Sequence, residues 1–299
     1  MTEQQDRVVG VVGLGIMGGA MARNLKAAGW RVLGFDTDAA RREALARDGI
    51  EPRADAVAVA REAPVLVTSL PSPKALHATA AALAGAGGLP PRTVIETSTF
   101  TLEDKLAAEA VLRAAGHVAL DCPLSGTGAQ AVHRDLVVYA SGDAATIARL
   151  APLFEGFAKA THDLGAYGNG SRMKFVANLL VAIHNVAAAE AMVLAEKAGL
   201  DPAQVVRLVQ GGAGNSRVFE LRAPMMAEGR YEPPTMRNST WQKDMAVIGE
   251  FATHLACPTP LFSATLPIYA ATIALGLGGQ DTAAVHDVLG RMAGLGAAE

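Results

Sequence analysis

The chain has 299 residues and a formal net charge of −3, a size at which one hydrophobic core usually gives way to two. Acidic and basic residues are interspersed without a basic run, which argues against nucleic acid or an anionic membrane surface as a partner. The two cysteines, Cys122 and Cys257, have neither disulfide nor metal-ligand spacing, so we expect no metal and a reducing, cytoplasmic location.

The first half of the chain alternates short β-branched runs with alanine-rich stretches of helical length. Such alternation predicts βαβ units around a parallel sheet. The predicted strands lie at 7–13, 31–35, 64–70, 92–97, 117–121 and 136–142, and a helix is predicted at 143–154.

After Gly170 the strand-like runs stop and long helical patterns continue to the end of the chain. We therefore predict one domain over 1–166 and an all-helical domain over 167–299. The apolar run that opens the second domain is interrupted by polar side chains within the ~20 residues that a membrane span needs, so a buried helix is expected rather than a span. The interrupting residues are Asn178, His184, Asn185 and Glu190.

A glycine-rich motif, GLGIMG, follows the first predicted strand and opens a predicted helix. In that setting the first glycine permits a tight turn, the second lets a pyrophosphate approach the backbone, and the third lets helix and strand pack closely. The helix amino terminus adds free N–H groups and a partial positive charge, so the motif predicts a dinucleotide site. Its predicted cofactor residues are Gly13, Leu14, Gly15, Ile16, Met17 and Gly18.

An acidic residue, Asp36, ends the second predicted strand. A carboxylate there accepts hydrogen bonds from a ribose 2′-hydroxyl and repels a 2′-phosphate, so NAD is the expected cofactor. Arg41 and Arg42 follow closely, and an arginine in this region can hold a 2′-phosphate, which leaves NADP open as the alternative.

Two loop-like stretches, LPSP at 70–73 and ETST at 96–99, follow predicted strands. Open α/β sheets bind ligands at this edge, so Leu70, Pro71 and Thr99 are predicted to contact the cofactor. The same residue types also suit ordinary turns and helix caps.

The stretch DCPLSGTGAQA at 121–131 places small residues in succession after another strand. The N–H groups and hydroxyls of Ser125, Gly126 and Thr127 can form an anion-binding nest, which points to a small carboxylate substrate. A plain glycine turn between strands is the alternative.

A lysine and an asparagine, Lys174 and Asn178, lie four residues apart and share one face of the apolar helix. Gly170, one turn earlier, is expected to leave room for a flat ring or a substrate, and Asn185 extends the polar stripe. Desolvation is expected to lower the pKa of Lys174 from about 10.4 towards neutrality, where the amine exchanges a proton with a substrate hydroxyl. The alternative is a snorkelling lysine paired with a carboxylate.

Four motifs together resemble those of the β-hydroxyacid dehydrogenase family, which includes 3-hydroxyisobutyrate dehydrogenase and tartronate semialdehyde reductase. In chain order they are GLGIMGGAMARNLKAAG, DCPLSGTGAQA, GNGSRMKFVAN and WQKDM, and the resemblance covers most of the chain. It implies an α/β Rossmann-type dinucleotide-binding domain followed by an all-α domain, joined by a long interdomain helix. It also implies a homodimer or homotetramer formed through the helical domain.

The resemblance assigns roles by position. Lys174 is the general acid and base, while Asn178 and residues 125–127 hold the substrate. Lys243 lies near the nicotinamide, and Asp244 orients the lysine motif. The implied reaction is hydride transfer between NAD(P) and a small β-hydroxy acid or its semialdehyde.

The substrate motif departs from the D-A-P-V-S-G-G usual in the family. Cys122, Leu124 and Thr127 replace the alanine, the valine and the second glycine. Thr127 narrows the pocket and adds a hydroxyl, which favours a smaller or more hydroxylated acid than 3-hydroxyisobutyrate. Leu102 stands where the family has a proline, so this loop is expected to differ. Arg217 is either a second carboxylate clamp or a surface arginine.

Three rival interpretations remain. An imine reductase-like NADPH enzyme shares the fold but commonly lacks a lysine at this position. A 6-phosphogluconate dehydrogenase carries a histidine three residues after the lysine, where this chain has Ala177. A non-enzymatic, cofactor-binding scaffold would have no need of the intact Lys174 and Asn178.

Overall fold

The structure is a computed structural model that describes residues 7–295. The chain folds into two compact units, Met1–Lys174 and Phe175–Glu299. The predicted domain boundary lies a few residues earlier, at 166/167. We call the two units the α/β unit and the helical unit.

Short β-branched runs form the strands of the α/β unit. Within residues 7–295 the strands are β1 (Val8–Val12), β2 (Arg31–Phe35), β3 (Glu51–Pro52), β4 (Val65–Thr68), β5 (Thr93–Glu96), β6 (Val118–Asp121), β7 (Leu124–Ser125), β8 (Val137–Ala140) and β9 (Ala160–Asp163).

The helices of the α/β unit follow the strands in alternation. They are α1 (Ile16–Ala27), α2 (Ala39–Arg47), α3 (Ala56–Glu62), α4 (Pro73–Ala84), α5 (Leu102–Ala114), α6 (Gly128–Val132), α7 (Ala144–Arg149) and α8 (Ala151–Phe157). The remaining helices are α9 (Asn169–Lys197), α10 (Pro202–Gln210), α11 (Arg217–Ala227), α12 (Asn238–His254), α13 (Pro260–Ala274) and α14 (Val285–Met292), with a 3₁₀ turn at Thr282–Ala284.

In the described part of the chain, the larger sheet has six parallel strands in the order β3-β2-β1-β4-β5-β6. This is the strand order of a doubly wound dinucleotide-binding sheet, in which ligands bind at the carboxyl ends of the strands. The predicted α/β Rossmann-type fold with a following all-α region is confirmed. A smaller sheet, β7-β8-β9, comes after β6.

Apolar side chains cover both faces of the larger sheet, because successive residues of a strand point to opposite faces. Leu66 packs in one core cluster and Val67 in the other, and Val94 and Ile95 divide in the same way. Because both faces of the sheet are buried, polar side chains can reach a ligand only from the loops at the strand ends. The candidate site is therefore expected at that edge.

The predicted strands and the observed ones differ in three short elements. The sequence does not predict β3, β7 and β9, because runs of two to four residues are too short to show a hydrophobic period. The single helix predicted at 143–154 is two helices, α7 and α8, which meet at Leu150. Pro152 falls in the first turn of α8, where its missing N–H is tolerated.

The longest helix, α9, contains the boundary between the two units. By length and composition, an 18-residue window of this helix could cross a membrane. However, 44% of that window is buried within the protein, and the core helix of a soluble protein meets the same criterion.

Candidate active site

The glycine turn between β1 and α1 contains three glycines with different surroundings. A Cβ on Gly13 would lie 2.1 Å from the carbonyl oxygen of Ser69, and one on Gly18 would lie 1.9 Å from that of Gly13. Gly13 also has a φ of +91°, which favours glycine. A Cβ on Gly15, in contrast, would come no closer than 3.8 Å to a side chain, that of Arg41. Packing therefore requires Gly13 and Gly18, while Gly15 leaves the open space that a pyrophosphate needs.

The Asp36 carboxylate follows β2 and braces the glycine turn. Its Oδ2 accepts a hydrogen bond of 2.7 Å from the Leu14 N–H, and its Oδ1 accepts one of 2.9 Å from the Asp38 N–H. The Leu14 N–H is thus bound to protein rather than directed at a phosphate. Because a carboxylate offers about four lone-pair sites, Asp36 can still accept a ribose hydroxyl.

Two arginines contact Asp36. The Arg41 Nη1 lies 3.5 Å from the Asp36 Oδ2, and the Arg42 Nη1 donates to the Asp36 carbonyl oxygen at 2.5 Å. Arg41 is 54% exposed at its side chain. Both guanidinium groups therefore lie at the position where the adenine ribose of a dinucleotide is expected.

The loops that follow β4 and β5 are tied together. The Leu70 N–H donates to the Ser98 Oγ at 2.8 Å, and the Ser98 N–H donates to the Glu96 Oε1 at 2.9 Å. Pro71 is exposed and Thr99 is half-buried. The predicted cofactor residues Leu70, Pro71 and Thr99 therefore share the carboxyl edge of the sheet with the glycine turn.

In the predicted substrate loop, hydrogen-bonding groups that the sequence assigns to a substrate are already bonded to other protein groups. The Thr127 N–H donates to the Gln130 Oε1 at 3.0 Å, and the Thr127 hydroxyl donates to the same oxygen at 3.3 Å. Gln130 in turn donates to the Asp135 Oδ2 at 3.0 Å. A substrate carboxylate that uses the Thr127 N–H must therefore displace the Gln130 side chain.

Glycines also hold the substrate loop in place. Gly126 has a φ of +134°, and a Cβ on it would lie 2.6 Å from the Leu136 Cδ2. A Cβ on Gly128 would lie 2.4 Å from the Ile16 Cγ2. Since Ile16 opens α1, this close approach brings the substrate loop against the glycine turn.

The lysine helix α9 begins on the carboxyl end of β6. The Ser171 N–H and Oγ both donate to the Asp121 carboxylate, at 2.7 and 2.8 Å, and the Gly170 N–H donates to the Ser141 Oγ at 2.9 Å. These bonds satisfy N–H groups that a helix leaves unpaired in its first turn. Lys174 follows within one turn of Ser171 and is 9% exposed.

The expectation that Gly170 leaves room for a ligand is wrong. A Cβ on Gly170 would lie 2.2 Å from the Tyr139 carbonyl oxygen and 2.7 Å from that of Asp121. The glycine is required because the helix start packs on the backbone of the sheet.

In the helical unit, Asp244 connects two predicted site residues. Its Oδ2 accepts a hydrogen bond of 3.0 Å from the Asn178 Nδ2, and its Oδ1 lies 3.3 Å from the Lys243 Nζ. Asp244 thus holds the asparagine of the lysine motif through a direct hydrogen bond.

Two other polar residues of the helical unit have structural partners. Asn185 donates to the Tyr269 hydroxyl and the Thr282 carbonyl oxygen, at 3.0 and 2.9 Å, and is fully buried. Arg217 is 68% exposed and pairs with Glu220 at 2.8 Å, as the surface alternative predicts.

Sequence reasoning missed a buried cluster of charges beneath the lysine helix. This buried cluster consists of Glu96, Lys105 and Asp121, which are 3%, 0% and 0% exposed. The Lys105 Nζ forms ion pairs with both carboxylates, at 2.8 Å from the Asp121 Oδ1. Burial acts to lower the pKa of Lys105, but the charges of Asp121 and Glu96 outweigh it, so the pKa is raised and the amine is a cation. A signal was available, because Lys105 lies three and seven residues before Ala108 and Leu112 on the buried face of α5.

Family models match the chain on both sides of residue 168. A family described as the NAD binding domain of 6-phosphogluconate dehydrogenase matches residues 8–168. A second, described as NAD-binding of NADP-dependent 3-hydroxyisobutyrate dehydrogenase, matches residues 168–289.

Individual relatives match over nearly the full length. The L-threonate dehydrogenase of Cupriavidus necator is 31% identical over 285 residues, which cover 93% of this chain and 95% of the relative. The crystal structure of 3-hydroxyisobutyrate dehydrogenase from Salmonella typhimurium is similar with a TM-score of 0.83 at 30% identity, covering 94% of this chain and 99% of that one. The Mycobacterium tuberculosis 3-hydroxyisobutyrate dehydrogenase, solved with L-serine, has a TM-score of 0.86 at 28% identity, covering 95% and 99%.

Proposed function

This chain belongs to the β-hydroxyacid dehydrogenase family, whose members are NAD(P)-dependent oxidoreductases that act on CH–OH groups, and we propose that it oxidises a short, hydroxylated β-hydroxy acid with Lys174 as the proton acceptor. The observation that carries the proposal is a buried lysine at the start of α9, a helix whose first turn is bonded to the end of β6. The relatives named L-threonate dehydrogenase support a polyhydroxylated acid as the substrate.

The glycine turn fits the cofactor that the family implies. Gly15 is open where Gly13 and Gly18 are closely packed, since a Cβ on Gly15 would meet only the Arg41 side chain, at 3.8 Å. The position that a pyrophosphate must approach is therefore the least crowded of the three. The chain is an NAD(P)-dependent enzyme. We propose a preference for NAD, because the Asp36 carboxylate would repel a 2′-phosphate.

Proton transfer is the step that this chain's own residues perform. When bound, the nicotinamide supplies the acceptor for the hydride that leaves the carbinol carbon. As the hydride leaves, the substrate hydroxyl must lose its proton, and a neutral Lys174 accepts it. In the direction of reduction the Lys174 ammonium donates the proton instead. Asn178, bonded to Asp244, would hold the substrate beside the amine.

We further propose that the enzyme is cytoplasmic and self-associates. Relatives that match over nearly the full length are named L-threonate dehydrogenase, which supports α9 as the core helix of a metabolic enzyme. Large apolar side chains of the helical unit are 67 to 71% exposed at Leu194, Leu208 and Leu261, and such surfaces mark protein interfaces when they form a patch. Light scattering should give the mass of a dimer or tetramer, and a monomer at micromolar concentration would contradict this proposal.

The Lys174→Ala variant tests the function. Turnover should fall by roughly 10² to 10⁴, because the group that moves the proton is lost, while NADH binding persists. The assay follows reduced nicotinamide with L-threonate, 3-hydroxyisobutyrate and related 2- and 3-hydroxy acids, each with NAD and with NADP.

Other outcomes of the same assay would contradict the proposal. Activity of Lys174→Ala close to that of the wild type would remove the lysine from the mechanism. Turnover of cyclic imines with NADPH, without turnover of any hydroxy acid, would favour an imine reductase. No turnover of either class would favour a cofactor-binding scaffold.

A further inference from the structure

Two neighbouring strands end in buried carboxylates that lie side by side. Glu96 is the last residue of β5 and Asp121 the last residue of β6, and the two are direct partners in the parallel register. Adjacent strands are about 4.8 Å apart, so two like charges at this position repel each other. Both side chains are almost fully buried, and water therefore screens the repulsion poorly.

Lys105 is the cation that lies between these carboxylates. It reaches them from α5, and its amine contacts both side chains while having no exposed surface. The buried cluster has one basic and two acidic side chains. The formal charge of these three side chains is therefore −1.

The remaining negative charge lies at the start of the lysine helix. Besides Lys105, the Asp121 carboxylate accepts the N–H and the hydroxyl of Ser171, and its Oδ2 lies 3.3 Å from the Ser141 hydroxyl. Ser141 also accepts the Gly170 N–H. Asp121 thus caps α9 from a distant part of the chain, and its charge is favourable near the positive end of the helix dipole.

The cap is close to the proposed proton-transferring amine. Ser171 precedes Lys174 by three residues, which is about 4.5 Å along a helix axis. A change in the position or charge of Asp121 therefore shifts the backbone turn from which Lys174 extends. Displacements of about 1 Å can slow an enzyme by about 10²-fold, even when the altered residue is far from the substrate.

We infer that Lys105 is a positioning residue for the reaction: it holds Asp121 as the carboxylate that anchors the first turn of α9 and thereby sets the place of the Lys174 amine. This inference rests on the proposed function of Lys174. Lys105 itself contacts Asp121 and Glu96, and its effect on the reaction passes through the helix start.

The test compares Lys105→Met with a control that is buried in the same helix. Leu112→Ala removes an apolar side chain of α5 that is 3% exposed and does not contact Asp121 through any polar group. Both variants should be destabilised. Turnover of each holoenzyme is measured at a temperature where both variants are folded. The substrate is L-threonate or 3-hydroxyisobutyrate, whichever the wild type oxidises faster.

Positioning predicts a specific kinetic pattern. In Lys105→Met, kcat should fall at least about tenfold, and the primary deuterium isotope effect on kcat should be larger than in the wild type. The dissociation constant of NADH should stay within about twofold of the wild-type value. In Leu112→Ala, kcat and the isotope effect should stay near the wild-type values. In the Lys174→Ala background, Lys105→Met should change residual turnover little, because the amine that it positions is gone.

Several results would overturn the inference. They are an unchanged kcat in folded Lys105→Met, an equal loss of kcat in Leu112→Ala, or a further loss of the same size when Lys105→Met is added to Lys174→Ala. If Lys105→Met does not fold, Ser171→Ala replaces it. This variant removes only the hydroxyl bond to Asp121 and should lower kcat by about threefold with NADH binding retained; an unchanged kcat would again contradict positioning.

The same set of variants separates this inference from the proposed function. A Lys174→Ala enzyme with normal turnover defeats the proposed function, whatever Lys105→Met does. An inactive Lys174→Ala enzyme together with a normal Lys105→Met enzyme defeats only the role of Lys105.

Discussion

Two ionic clusters of the α/β unit have similar ion pairs, but one is buried and the other is exposed to solvent. In each, a cation contacts two carboxylates: Lys105 does so in the buried cluster, and Arg31 and Arg53 each do so in a surface cluster with Glu51 and Glu62. The surface carboxylates are 41% and 40% exposed, and a second arginine balances their charge. The carboxylates of the buried cluster are 3% and 0% exposed, and Lys105 is a cation that contacts both of them.

This difference indicates which cluster the fold depends on. Exposed ion pairs contribute little, because water and salt screen them and the side chains lose freedom. A buried ion pair that loses one partner leaves a charge without compensation, which is strongly destabilising. The surface cluster is therefore expected to be replaceable, while the buried cluster constrains both stability and the start of α9.

The largest expected effect comes from removing Lys105, and the matched change removes one of the two bridging arginines of the surface cluster. Lys105→Met should lower the free energy of unfolding by about 3 to 5 kcal/mol, since Glu96 and Asp121 would then repel each other without a cation. Arg53→Met should lower it by about 1 kcal/mol or less. Urea unfolding at pH 7 measures both. Equal losses would show that burial does not distinguish the clusters.

A smaller effect is expected when the surplus negative charge is removed. Glu96→Gln leaves Lys105 and Asp121 as a balanced pair, and the amide oxygen can still accept the Ser98 N–H. The lost ion pair and the relieved repulsion offset each other, so the free energy of unfolding should change by about 1 kcal/mol or less. Urea unfolding beside Lys105→Met is the measurement. A loss as large as that of Lys105→Met would contradict the idea of a surplus charge.

Much of the fold could be predicted from the sequence because its signals are local. The strand run Val8–Val12 is rich in β-branched residues and is followed by a turn, and the spacing of the glycines from Gly13 to Gly18 is set by that one turn. The order of the strands in the sheet then follows from the rules for βαβ units. Short strands such as β3 could not be predicted, because two residues are too few to show a hydrophobic period.

The partners of polar side chains could not be predicted in the same way, since they come from distant parts of the chain. Asp121 and Ser171 are 50 residues apart, and Asn178 and Asp244 are 66 apart. Sequence reasoning placed Lys174, Asn178 and Asp244 in the candidate site, but it assigned the space beside Gly170 to a ligand when backbone occupies it. Which atoms share a hydrogen bond depends on packing that no local pattern specifies.

The smallest expected effect is a pH dependence of the surface cluster. The hydrogen bond from Arg31 lowers the pKa of Glu51 from 4.5 to about 2 in the folded protein. Because the folded pKa is the lower one, the contribution of Glu51 to stability is present above pH 4.5 and is lost as the pH falls towards 2. Since Glu51 is 41% exposed, this contribution should be about 1 kcal/mol or less. Urea unfolding of the wild type and of Glu51→Gln at pH 6, 4 and 3 should show their difference shrinking as the pH falls. A difference that stays constant would mean that Arg31 and Glu51 do not pair in solution, and the contrast with the buried cluster would then rest on Arg53 alone.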